Sequence, residues 1–208
     1  MALNDTPSPF RTPEQRKIDR EAKRMAVLTA AVRMFNERGF HATSLDDVAA
    51  SLGISKPTIY HYLGNKEQVL IACLRQALRE LIEAAEQARA RPGNSADRLR
   101  SFLVNYAEFN LRDFGRCVIL TSDNQLSEDA AAAVRAEKRR IHDMMRAMIE
   151  EGCADGSIVC EDANLLAFTL AGALNWPARW YDDAAGAGPR ETVAKMVDML
   201  AAGFAPRQ

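Results

Sequence analysis

The stretch TSLDDVAASLGISKPTIYHYLGNK, residues 43–66, decides how the rest of the chain is read. Leu45, Val48, Ala49 and Leu52 recur at helical spacing and predict a short helix with one apolar face. Gly53, which takes a left-handed backbone at little cost, marks its end. Ile54 is expected to turn inward, and Ser55 to cap a second short helix whose inward residues are Ile59 and Leu63. Two short helices joined by a tight glycine turn make a helix-turn-helix. Asn65, with Gln68 three residues on, predicts a capping box for the next helix and sets Lys66 beside that helix's free amides. Helix-end amides next to a lysine form a seat for phosphate.

The outward face of the second helix carries Lys56, Pro57, Thr58, Tyr60, His61 and Tyr62, and residues 55–66 hold no carboxylate. A cation, hydroxyls and aromatics on one face suit a major groove, and Pro57, in a first turn where its missing N–H costs nothing, offers an apolar edge to a thymine methyl. Helix pairs of this kind also occur in all-helical proteins that never touch DNA. Asp46 and Asp47 pull two ways, since a carboxylate in a first turn suits the helix dipole but repels phosphate.

The longer run GFHATSLDDVAASLGISKPTIYHYLGNKEQVL, residues 39–70, resembles the DNA-binding head of the TetR family of bacterial transcriptional regulators. Gly39, Phe40, Thr43, Ser44, Val48, Ala49, Gly53, Ile54, Ser55, Thr58, Tyr60, Lys66, Glu67 and Leu70 fall in register with it. The resemblance implies that Thr43, Tyr60 and Lys66 grip phosphates and that Lys56, Pro57, Thr58 and His61 meet bases, with Ser44, Ser55 and Tyr62 completing the interface. Leu45 departs from the pattern, standing where some members carry a base-reading arginine. It also implies an all-α fold of about nine helices: a flexible tail (residues 1–11), a three-helix head (12–66) and a helical ligand-binding and dimerisation domain (67–208).

Composition agrees with a folded helical chain: 208 residues, 48% of them hydrophobic, with a net charge of −1 that differs from a protein coating nucleic acid non-specifically. The charge is uneven. Residues 1–66 hold ten Lys/Arg against seven Asp/Glu, while the remainder holds 17 against 21, so the basic excess lies where DNA is expected. Cys73, Cys117, Cys153 and Cys160 form no CxxC pair and have no histidine at ligand spacing, so buried, reduced thiols are expected, and neither a zinc site, a disulfide framework nor a cofactor is indicated. No apolar run reaches the ~20 residues needed to span a bilayer, and no leader pattern opens the chain, so a cytoplasmic location with no membrane partner is expected.

Beyond the head, Thr12, Pro13 and Gln15 open a first helix whose apolar residues include Ile18, Met25, Leu28, Val32 and Phe35. Its basic side, Arg16, Lys17, Arg20, Lys23 and Arg24, is either a backbone-facing stripe or a solvated face. A long helix follows Lys66, then one capped by Ser95, an apolar run at residues 114–121 and a further helix from Ser127. Phe102, Tyr106, Phe109 and Asn110 either line a ligand pocket or form an aromatic core, and Met145 and Met148 either shape that cavity or fill gaps. The basic cluster Arg135, Lys138, Arg139 and Arg140 is either an anion site or solvated.

Residues 163–176, ANLLAFTLAGALNW, are apolar on every side and too short for a membrane, so a second body must cover them. With the following helix they predict a symmetric four-helix homodimer interface made by Ala167, Ala171, Leu174, Val193, Met196, Val197, Leu200 and Phe204. Pro177 is expected to kink or end the first of the two. NWPARWY, residues 175–181, resembles a signature of TetR members that answer to acyl-CoA or related lipophilic ligands, which implies ligand contacts from Asn175, Trp176, Arg179 and Trp180. Arg179 and the tryptophans are equally suited to anchoring an interface.

These observations favour a ligand-responsive regulator that binds a palindromic operator as a homodimer, a repressor released by a small lipophilic or acyl-CoA-like effector. A ligand-independent DNA-binding protein is the alternative. An enzyme is disfavoured: His41, His61 and His142 are the only histidines, and no phosphate loop, HExxH or nucleophile elbow is present.

Overall fold

The computed structural model describes residues 12–182 and 188–203, and the expected tail at residues 1–11 and Phe204 lie outside them. The described residues are helical, with no strand. Helix α1 (Pro13–Arg38) opens with the expected capping box of Thr12 and Gln15 around Pro13. Its first turns stand clear of the core, and Ile18, expected on the inward face, is exposed; burial begins at Val27. α2 (Leu45–Ser51) and α3 (Lys56–Leu63) follow, joined at Gly53, whose φ of 64° is the left-handed turn that the pattern required.

Ile59, fully buried, is the hub that holds α3, while Leu45, Val48 and Ala49 seat α2. α2 is capped by a Ser44–Asp47 box, so Asp47 is occupied at the helix end. Ser55 does not cap α3 through its side chain; its Oγ instead pairs with Thr58 Oγ1 at 2.9 Å. A nearby hydroxyl competes with the amides for such a side chain.

α4 (Lys66–Arg89) begins with the Asn65–Gln68 box and runs from the head into the body. α5 (Ser95–Leu111) is capped by Asn94 with Asp97, one residue earlier than expected; the Ser95 amide instead donates to Asp155 Oδ2. The run from Phe114 is helical, as part of α6 (Asp113–Leu120), which packs on α1, α4 and α5. It lies so close to α5 that a Cβ on Gly115 would stand 2.2 Å from the Phe109 carbonyl oxygen. α7 (Glu128–Asp155), α8 (Ala163–Asn175) and α9 (Pro189–Ala202) complete the body. Pro177 ends α8 in a 3-10 turn, Trp176–Arg179.

One buried core runs through both parts, from Val27 and Ile59 to Phe102, Met145, Leu174 and Val197. Burying each large aliphatic side chain of this kind contributes about 1.5–3 kcal/mol. The head is tied to the body by directed contacts as well. Arg33 Nε donates to Asp113 Oδ2 at 2.9 Å and Asn36 Nδ2 donates to the Asp113 carbonyl at 2.8 Å, while within the body Glu67 Oε1, at the start of α4, accepts the Ser127 amide at 2.6 Å.

Candidate nucleic-acid interface and ligand pocket

α3 presents Pro57, Tyr60 and His61 to solvent, with Lys56, Thr58 and Tyr62 half-buried beside them. Tyr60 is 48% exposed, large for an aromatic residue that its own chain leaves uncovered. Lys56 Nζ donates to Asp46 Oδ2 at 2.7 Å, and this hydrogen bond, before any longer-range charge effect, holds the ammonium above its ordinary value. Asp46 therefore turns toward the recognition helix and neutralises its one lysine.

Lys66 is fixed at the adjoining helix end, its ammonium 4.5 Å from the Phe40 ring centre and donating to the His41 carbonyl at 3.2 Å. Partial burial lowers its proton affinity. A lysine held by a ring face and a neutral carbonyl keeps its charge uncompensated at the surface. Ser44 is half-buried at the cap of α2 and Ser55 is exposed at the start of α3. Thr43 needs a correction. It is 2% exposed and its hydroxyl pairs with the carbonyls of Met34 and Gly39, so its side chain locks the α1–α2 corner and has no hydroxyl to spare for a phosphate.

In the body, a cavity of about 400 Å³ opens between α4, α5, α6, α7 and α8. Tyr106, Asn110, Met145 and Asn175, all expected at a pocket, meet there. Tyr106 Oη donates to Asn175 Oδ1 at 2.7 Å and Asn110 Nδ2 donates to the same oxygen at 2.9 Å. Asn110 Oδ1 is buried with no partner among the described residues, an acceptor whose loss of water is uncompensated. Leu78, Leu81, Ile141, Phe168 and the α6 residues Val118 and Ile119 supply apolar walls.

Phe102, Phe109 and Met148 are buried and do not line this cavity; they are core. Trp176, Arg179 and Trp180 also lie off it, exposed beyond the end of α8, so the NWPARWY segment contributes only Asn175. His142 was missed, while Lys138, read as part of a basic cluster that was either an anion site or solvated, turns inward. Both line the cavity, and burial lowers the Lys138 proton affinity as its ammonium reaches the Val118 carbonyl at 3.3 Å. The sequence did hold a signal, because Lys138 falls three residues before Ile141 and seven before Met145, on the inward face.

The expected dimer face needs a wider correction. Ala167, Leu174, Val193 and Val197 are fully buried within one chain, Ala171 lines the cavity, and Met196 and Leu200 are half-buried against the core. What remains exposed and apolar on α8 is Leu165, Phe168 and Gly172, the last two at the rim of the cavity, followed by Trp176 just beyond the helix and Met199 on α9.

A helix-turn-helix with a polar, partly cationic outer face, joined to a helical body that encloses a cavity, defines a DNA-binding regulator. The comparisons agree. Residues 27–73 match the model described as bacterial regulatory proteins, tetR family, and residues 92–204 match the tetracyclin repressor-like C-terminal domain, which alone exceeds half of the chain. The chain belongs to the TetR family of bacterial transcriptional regulators.

Among its relatives is the HTH-type transcriptional activator FasR of Mycolicibacterium smegmatis, 26% identical over 155 residues, covering 74% of this chain and 69% of FasR. The TetR-family regulator PfmR of Thermus thermophilus superposes with a TM-score of 0.77 at 27% identity, over 85% of this chain and 97% of that one. AibR, solved with isovaleryl coenzyme A and operator DNA, shares the fold with a TM-score of 0.75 at 24% identity, over 85% of this chain and 97% of AibR. Among the described residues no helix is long and apolar enough to cross a membrane.

Proposed function

We propose that this chain acts as a homodimeric repressor whose grip on a palindromic operator is released by a small, largely apolar effector. The observation that carries the reading is the double role of α6. Val118 and Ile119 face the body cavity, while Cys117, Leu120 and Thr121 border Phe35, Asn36 and Phe40 of the head. A ligand that displaces Val118 and Ile119 moves the surface on which α1 rests. Two recognition helices must stand roughly 34 Å apart to meet successive major grooves, and a shift in that separation weakens both contacts together. The ligand can shift this equilibrium only by its difference in affinity for the two states.

The cavity chemistry narrows the effector. Its walls are largely apolar, Asn110, whose buried Oδ1 has no partner among the described residues, is part of its lining, and Lys138 supplies a desolvated cation. A chain or ring bearing one hydrogen-bond donor and one acidic group matches all three. A volume of about 400 Å³ suits a fatty acid or the acyl end of an acyl-CoA, and not a whole coenzyme A.

The test begins with an operator selected from random DNA. Titrating that complex with free fatty acids and with their acyl-CoA esters is expected to weaken binding at least tenfold for one of the two classes. Unchanged affinity at saturation with both would remove lipophilic effectors of this kind. Tighter binding would reverse the direction of control.

A further inference from the structure

Two thiols lie together at the junction of α7 and α8, one of them exposed against the expected burial. Cys153, exposed in the last turn of α7, and Cys160, in the segment leading to α8, place their Sγ atoms 3.2 Å apart. The chain between them is held at several points. The Ile158 amide donates to the Gly152 carbonyl at 3.0 Å, and a Cβ on Gly152 would come within 2.4 Å of the Ile158 side chain. Asp155 accepts the Ser157 amide through Oδ1 and the Ser95 amide through Oδ2, each at 2.9 Å, and Ser157 Oγ accepts the Ala96 amide at 3.1 Å. Gly156 turns the chain with a φ of 76°. The sulfur contact is therefore a product of a fixed loop and not of two free side chains.

We propose that Cys153 and Cys160 form a redox-modification site, closed to an intrachain disulfide by hydroperoxides and reopened by thiols. The exposed Cys153 is the attacking group. Its thiolate bonds to one peroxide oxygen, the O–O bond breaks, and hydroxide leaves to become water, giving a sulfenic acid. Cys160 then attacks that sulfur, the S–O bond breaks, and the departing oxygen takes the Cys160 proton as a second water. Two thiols and one hydrogen peroxide yield one disulfide and two waters.

Burial, reinforced by Cys153 itself, pushes the Cys160 thiol up to about 11, so the first attack falls to Cys153; Cys160 becomes a nucleophile only as it yields its proton to the departing oxygen of the sulfenic acid held beside it. Cys73 and Cys117 are buried, and burial raises both, so they stay out of the reaction. The staple joins the ends of α7 and α8, the helices that bring Lys138, His142 and Phe168 to the cavity, so oxidation stiffens two of its walls.

The experiment treats the full chain with hydrogen peroxide and reads three things. The intact mass should fall by about 2 Da with the loss of two of the four thiols. Cleavage before Asp155 under non-reducing conditions should leave the peptides carrying Cys153 and Cys160 joined. The melting temperature should rise by roughly 5 °C, the size expected for closing a short loop, and return on adding dithiothreitol. Cys160→Ser should remove the cross-link and the rise together while leaving the reduced melting temperature in place. Sulfinic acid on Cys153 with Cys160 still free, a disulfide between two chains, or cross-linking through Cys73 or Cys117 would each overturn the proposal. None of these readouts involves operator or effector, so the result stands apart from the reading of the cavity.

Discussion

The helix-turn-helix and the α8–α9 pair are both built from short helices, yet their sequences constrain them very differently. In α2 and α3, apolar residues occupy one face and polar ones the other, so Ile59 is inward and Tyr60 outward as the spacing demands. α8 is apolar all round, and its pattern carries no phase. Ala167, Leu170 and Leu174 turn inward, while Leu165 and Phe168, no less apolar, turn outward. A periodic pattern fixes orientation only where the two faces differ in polarity; elsewhere the partner elements choose.

That contrast breaks most directly on the buried hubs. Ile59→Ala and Leu174→Ala should each lower unfolding stability by about 2–5 kcal/mol, measured by denaturant titration. A cost under 1 kcal/mol for Leu174 would return that side chain to the surface. The outward stripe is expected to behave oppositely. Leu165→Asp should leave the folded chain intact but weaken self-association about a hundredfold, seen by sedimentation as a halved mass, because it sets a charge in an apolar contact. An unchanged mass would free this stripe from any role in assembly.

In the head, Lys66→Ala should weaken binding about tenfold on all DNA sequences and lower the salt slope by about 1, whereas Lys56→Ala should relax base preference. Equal losses on specific and random DNA for both would erase the difference between the two lysines. The smallest effect lies at the α5–α7 junction. The Ser157 side chain first, then the Ser95 side chain and the amides of both residues, hold the Asp155 carboxyl well below its ordinary value of 3.8. A depressed folded-state value contributes stability that is complete above the ordinary value and lost as pH falls below it. Asp155→Asn should accordingly flatten the decline in melting temperature between about pH 5 and pH 2, and an unaltered decline would assign it to other carboxylates.

How much was legible follows the reach of each signal. The Thr12–Gln15 and Asn65–Gln68 boxes close within four residues, and both stand as the sequence implied. Even at that range a competitor intervened at Ser55, whose hydroxyl prefers Thr58, and at residue 94, where Asn94 took the cap from Ser95. The cavity draws on five helices far apart in the chain. Tyr106, Asn110 and Asn175 were recognisable as polar residues in apolar surroundings, but only packing sends Phe102 and Met148 into the core and brings Lys138 into the cavity. Thr43 shows the same limit in the head: its hydroxyl was visible as a donor, while the carbonyls of Met34 and Gly39 that claim it were not.

The pairing of Lys56 with Asp46 has a thermodynamic signature of its own. A cation that already carries its counter-charge within the protein exchanges one anion for another when it meets a duplex, so it displaces fewer condensed ions from the nucleic acid than an unpaired lysine does. Counting basic side chains would thus overstate the ionic-strength dependence of operator binding. A base placed opposite Lys56 would have to outcompete a carboxylate, a threshold that a random sequence with only phosphate to offer would have difficulty passing.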